Sequence, residues 1–172
     1  KAFLFTDHRI PLEGLAGPFP EPLDINSSHQ IVGRSRGADN RDHATLWVDG
    51  GPAQDLGMAP GHGGSGARAI NEAGVAVGYS SHPTFQNQPA RFANGSVQVF
   101  EMPIAGTYGG AVGINSAGTI IGYYRDVDTR AGIVEGDRMI DLNTRLRPED
   151  ALVYNLWTAD AINENGQIAA TH

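Results

Sequence analysis

Planar side chains recur at matched places ahead of four Ile-Asn pairs. Phe19 lies six residues before Ile25, Tyr108 six before Ile114, Trp157 five before Ile162 and His62 eight before Ile70. Ring faces stack on sugars and on aromatic ligands, and a few polar groups then orient what is bound. Arg68 and Asp160 are near these rings in sequence and supply a guanidinium and a carboxylate. The six residues together define an expected ligand-binding cup. The other use of such rings is packing beneath the loops that carry them. An alternative chemistry is a hydrolase or lyase using His62 with Asp160 or Arg68, which requires a histidine and a carboxylate within hydrogen-bond reach.

The remaining motifs carry less. Gly61 to Gly66, "GHGGSG", fits the spacing of a dinucleotide-binding loop, but that loop must open a helix. Here "ARAINEAG" follows, a strand and a turn, so the segment reads as a connector. Ser65 lacks the nucleophile-elbow spacing because residue 67 is Ala. No P-loop and no His-Glu-x-x-His is present. The acidic pairs Asp39 with Asp42 and Asp126 with Asp128 sit among arginines, so they read as solvated loop charge rather than calcium ligands. No cofactor or metal is expected. His43 precedes a strand, where a structural hydrogen bond is the expected role.

Composition narrows the classes further. The 172 residues carry 12 basic and 19 acidic side chains, a net charge of −7, with no basic cluster. This argues against nucleic acid and against an anionic membrane face. No apolar run has the length of a membrane span, and no leader-like segment is seen. A chain opening on Lys1 is expected to be processed or part of something longer. Cysteine is absent, which removes disulfides and thiol chemistry.

The elements that must position these residues come from a repeat. Ile25, Ile70, Ile114 and Ile162 are spaced by 45, 44 and 48 residues, a period that suits four-stranded propeller blades. Each unit parses alike. A strand ends at Ile-Asn, and a turn follows, as in Asn71-Glu72-Ala73-Gly74. A second strand alternates, as in "VAVGYS". A third leads to a Gly-containing hairpin, beside Asp49 or Asn94, and a fourth closes the unit. The first unit has His29 in place of the turn Gly, and His tolerates positive φ, so His29 is predicted to be left-handed. Helix is predicted nowhere except for one turn within 147–157.

The predicted fold is all-β: a four-bladed β-propeller in one domain, 1–172. Repeats begin at about 22, 67 and 111. A half-blade over 1–21 and a half-blade over 157–172 share the fourth blade and close the ring. Small residues on the first strands (Ala67, Ala69, Ala111, Gly113, Ala159, Ala161) suit a crowded axis. The alternative is a segment of a larger ring, or a half-blade completed by a second chain.

"DHATLWVDG", "QDLG" and "INENGQI" resemble the HAF-type extracellular repeat of bacterial proteins, named for its His-Ala-Phe triplet. The triplet survives as His43-Ala44-Thr45 and Lys1-Ala2-Phe3, and is degenerate at Pro89-Ala90-Arg91 and Arg130-Ala131-Gly132. The resemblance spans essentially the whole chain. It implies a secreted or surface-exposed bacterial protein and carries no set of functional residues. The expected function is a binding or interaction module for a small molecule or glycan, with self-association through half-blade edges and no membrane insertion.

Overall fold

The computed structural model describes residues 1–84 and 86–172, and these form five antiparallel sheets. A hairpin of β1 (Ala2–Phe5) and β2 (Arg9–Leu12) comes first. Three four-stranded sheets follow. The first contains β3 (Glu21–Ile25), β4 (Gln30–Arg36), β5 (Asp42–Val48) and β6 (Gln54–Gly57). The second contains β7 (Gly64–Ile70), β8 (Ala76–Ser81), β9 (Asn87–Ala93) and β10 (Ser96–Val99). The third contains β11 (Tyr108–Ile114), β12 (Ile120–Arg125), β13 (Thr129–Glu135) and β14 (Arg138–Asp141). A last hairpin pairs β15 (Thr158–Ile162) with β16 (Ile168–Thr171). Helix is confined to a 3-10 turn at Leu142–Arg145 and a single turn, α1 (Pro148–Ala151).

The turn chemistry explains why each unit folds as a meander. Asn71 Oδ1 accepts the backbone N–H groups of Ala73 and Val75, closing the turn after β7. Gly74 and Gly118 end their turns at φ of 76° and 83°, and His29 takes the same place at φ 54°, as predicted. Asn94 and Gly95, at φ 51° and 71°, make the two-residue hairpin between β9 and β10, the backbone of a type I′ turn.

Every first strand also carries an irregularity that the sequence did not announce. The register slips between Pro22 and Asp24, Ala67 and Ala69, Ala111 and Gly113, and Ala159 and Ala161. This leaves Leu23, Arg68, Val112 and Asp160 as bulged residues outside the ladder. The bulge presses the first strand against the second. A Cβ at Gly78 would lie 2.0 Å from the Gly66 carbonyl oxygen, and one at Gly122 would lie 2.1 Å from that of Gly110.

Units stack in chain order. Val32 and Ala44 of the first sheet pack on Ala67, Ile70 and Ala76 of the second. Ala69 and Val77 of the second pack on Ala111 and Ile120 of the third. The third in turn buries Ile121 and Ala131 under Ala159, with Ile162 and Ile168 beside them. The small first-strand residues thus serve close stacking of neighbouring sheets. Polar links reinforce the seam: Ser65 Oγ accepts from Ala44 N at 2.9 Å and donates to Gly57 O at 2.6 Å. Ser65 and its flanking glycines therefore belong to strand β7, not to the connector.

The expected composite fourth blade is not formed. Phe3 sits in the β1–β2 sheet and Ile168 in the β15–β16 sheet, with no pairing between them and no closed ring among the described residues. Each hairpin finds its burial on its sequence neighbour instead. Leu12, Ala2 and Leu4 pack on Ile31 and Trp47, and the Trp47 indole N–H donates to Glu13 O at 2.7 Å.

Candidate functional site

In an antiparallel four-strand unit, the entering connector and the turn between second and third strands lie at the same end. The Asn turn and the last hairpin lie at the other. Three grooves open at the connector end.

The largest of these, about 760 Å³, runs between the connector 16–19 and strands β4 and β5. Phe19 stands on its rim, 78% exposed. Alternation along β4 sends Arg34 and Arg36 to the groove while Ser35 turns inward, where it bonds Thr45 Oγ1 at 2.9 Å and accepts from Leu15 N. Arg34 Nε donates to Glu21 Oε2 at 2.8 Å, and its Nη1 reaches the Tyr79 hydroxyl at 3.2 Å and Asp42 at 3.6 Å. The bond to Glu21 raises the proton affinity of the guanidinium, against the effect of burial. Arg36 faces Asp42 at 3.4 Å and donates to Asn40 O. Two cations therefore face two carboxylates, and the floor is polar yet charge-balanced.

The other expected site residues are spread along the stack. Trp157, half-exposed, borders a separate groove of about 560 Å³ with Arg125, Asp128 and Asn155. Tyr108 opens β11 beside Arg125 and lines none of the grooves described. His62 sets its ring edge-on to His82 at 5.6 Å, and its Nδ1 is buried without a partner. Burial lowers its proton affinity, and His82 adds to that while a backbone bond at Ser80 opposes it. Arg68, in the bulge of β7, lies over the rings of Tyr79 and Tyr123 at 5.6 and 5.8 Å. Asp160, in the bulge of β15, accepts from Thr171 Oγ1.

The six residues therefore do not converge into one cup. Without a closed ring, connectors from successive units are displaced along the stack and open onto different grooves. His62 likewise meets another histidine rather than Asp160. Other histidines do meet carboxylates: His29 Nδ1 is 3.0 Å from Asp49, His8 bonds its neighbour Asp7, and His43 holds two, with Nδ1 2.7 Å from Asp55 and Nε2 3.1 Å from Asp39. No group of three or more His, Asp or Glu side chains is arranged to hold a metal ion among the described residues.

Arg34, Arg36 and Tyr79 were missed by sequence reasoning, although "GRSR" places two guanidinium groups at the alternating spacing of one strand face. No protein-family model matches the chain, and no curated protein is significantly similar to it.

Proposed function

We propose that the chain is a binding module built from propeller-type blades in an open stack, and that it takes a neutral carbohydrate across the groove beneath Phe19. One observation carries this reading: an exposed ring stands over a charge-balanced polar floor of Arg34, Arg36, Glu21 and Asp42. A net-neutral floor rich in donors and acceptors suits hydroxyl groups better than an ion, and the ring offers an apolar face to a sugar. The resemblance to the HAF-type repeat supports a secreted or cell-surface bacterial setting.

Calorimetric titration with a panel of neutral oligosaccharides tests the reading. Binding is expected, and Phe19→Ala should weaken it about tenfold, the scale of one aromatic stacking contact. Because Phe19 is exposed, the melting temperature should not move. Absence of binding across the panel, or binding indifferent to Phe19→Ala, contradicts the proposal.

A further inference from the structure

Between the first and second full units lies an open hollow of about 340 Å³, lined by Glu21, Leu23, Arg34, Ala67, Arg68 and Tyr79 among others. None of these residues belongs to the first or the last hairpin. Three arginines of the chain are half-buried, and two of them meet a carboxylate. Arg34 holds Glu21 at 2.8 Å and Arg130 faces Asp141 at 3.8 Å. The third, Arg68, meets no carboxylate and donates to no acceptor among the described residues. Its guanidinium carbon instead lies 5.6 Å from the ring centre of Tyr79 and 5.8 Å from that of Tyr123. Ring faces attract a cation but leave the five N–H donors of a guanidinium unused. Taking a charge partly out of water without an acceptor is costly, so a cation placed in this way is suited to an incoming anion.

The wall beside it is fixed. Tyr79 is 9% exposed and lies across Gly66, where an added Cβ would come within 2.8 to 2.9 Å of Tyr79 Cε1, Cζ and Oη. A side chain at residue 66 would lift the ring, so this glycine is the trace of the arrangement in the sequence. The Tyr79 hydroxyl accepts from Arg34 Nη1 at 3.2 Å, and its own proton goes to no group among the described residues. Two guanidinium groups and one carboxylate leave the hollow with a surplus positive charge, in a chain of net charge −7.

We propose that this hollow is a second binding site, for a small monocarboxylate with an apolar body. The carboxylate takes the Arg68 guanidinium, whose planar fork matches two oxygens, and accepts the Tyr79 proton. Glu21 retains Arg34, so one negative charge is matched and a dianion brings a second with no partner. Leu23, 47% exposed, gives the body of the ligand an apolar contact. The site does not depend on the carbohydrate reading, since neither Arg68 nor Tyr79 lines the groove beneath Phe19.

Sodium benzoate titrated into the chain, followed by nitrogen–proton correlation spectra, tests the proposal. The shifts should saturate and be largest at the Arg68 side-chain Nε–H and the amides around Arg68 and Tyr79. Benzyl alcohol, which keeps the ring and loses the charge, should give no such shifts, and inorganic phosphate should bind more weakly than benzoate. Arg68→Gln should weaken benzoate at least about tenfold, the scale of one charged hydrogen bond. Arg68→Lys keeps the charge without the fork and should fall between parent and Arg68→Gln. Arg91→Gln removes an exposed cation elsewhere and should leave the affinity unchanged. Circular dichroism should show all three variants folded; the shift map, made on the parent chain, stands without them. Benzoate that does not saturate, or largest shifts away from Arg68 and Tyr79, overturns the proposal. So does an affinity unchanged in Arg68→Gln or lowered equally in Arg91→Gln, or phosphate binding as tightly as benzoate.

Discussion

Asn115 is 2% exposed, and both ends of its amide are used: Oδ1 accepts Thr119 N at 2.9 Å within its own turn, and Nδ2 reaches the carbonyl of Asn163 in the next unit. Alanine there leaves the half-buried Thr119 N–H and the Asn163 carbonyl without these partners, at about 1–3 kcal/mol for a group that water does not reach. Asn115→Ala should lower stability by about 2–3 kcal/mol in urea titration, and the exposed Asn163→Ala by less than about 1 kcal/mol. The turn role of these asparagines was legible in the sequence. Their link between units was not, because recurrence at 44 to 48 residues does not say what touches what.

His43 offers a second test at this scale. Burial alone would lower the proton affinity of its ring, but the hydrogen bonds it donates to Asp55 and Asp39 outweigh this and raise it above the ordinary 6.5. The folded state then binds the proton more tightly than the unfolded chain. The stabilisation is fully present below pH 6.5 and is lost as pH rises through the higher folded value. His62, whose affinity is lowered, has the opposite slope, so the difference between parent and His43→Gln isolates the effect. That difference in urea midpoint should shrink from pH 6 to pH 8. A difference constant with pH contradicts the assignment.

Among elements, the alternating strands, the Asn-Gly hairpin, left-handed His29 and the single helical turn were readable because each depends on residues close in sequence. The bulge in each first strand was not. It arises from the fit of first strand to second and leaves only an indirect trace, the glycine that faces it. Adding a methyl at Gly78 or Gly122 drives a Cβ into a carbonyl oxygen. Overpacking of this kind costs about 1–3 kcal/mol, and Gly78→Ala and Gly122→Ala should fall at the upper end. In the tail, Ala170 occupies the matching place, opposite Ala159. Gly118, at φ 83° with nothing within 4 Å of an added Cβ, meets only the backbone cost of about 1–2 kcal/mol. Thermal melts of the three variants give the ranking.

At the level of the molecule, complementary half-units at head and tail suggested a ring. Sequence complementarity states which strands are suited to pair, not that they do so within one chain. The structure gives each hairpin a neighbour to pack on and leaves the outer faces open, and the same openness separates Phe19, His62, Arg68, Tyr108, Trp157 and Asp160. In a stack of this kind stability comes from each unit and its interfaces, and end units with one interface open first.

Amide hydrogen exchange of the dilute wild-type chain tests this openness most directly. The account predicts the strongest protection in β8, β9 and β12, and exchange orders of magnitude faster in β1 and β16, whose outer edges face water. Protection in β1 and β16 equal to that in β8 would contradict it, because only a closed ring shields those edges within a single chain.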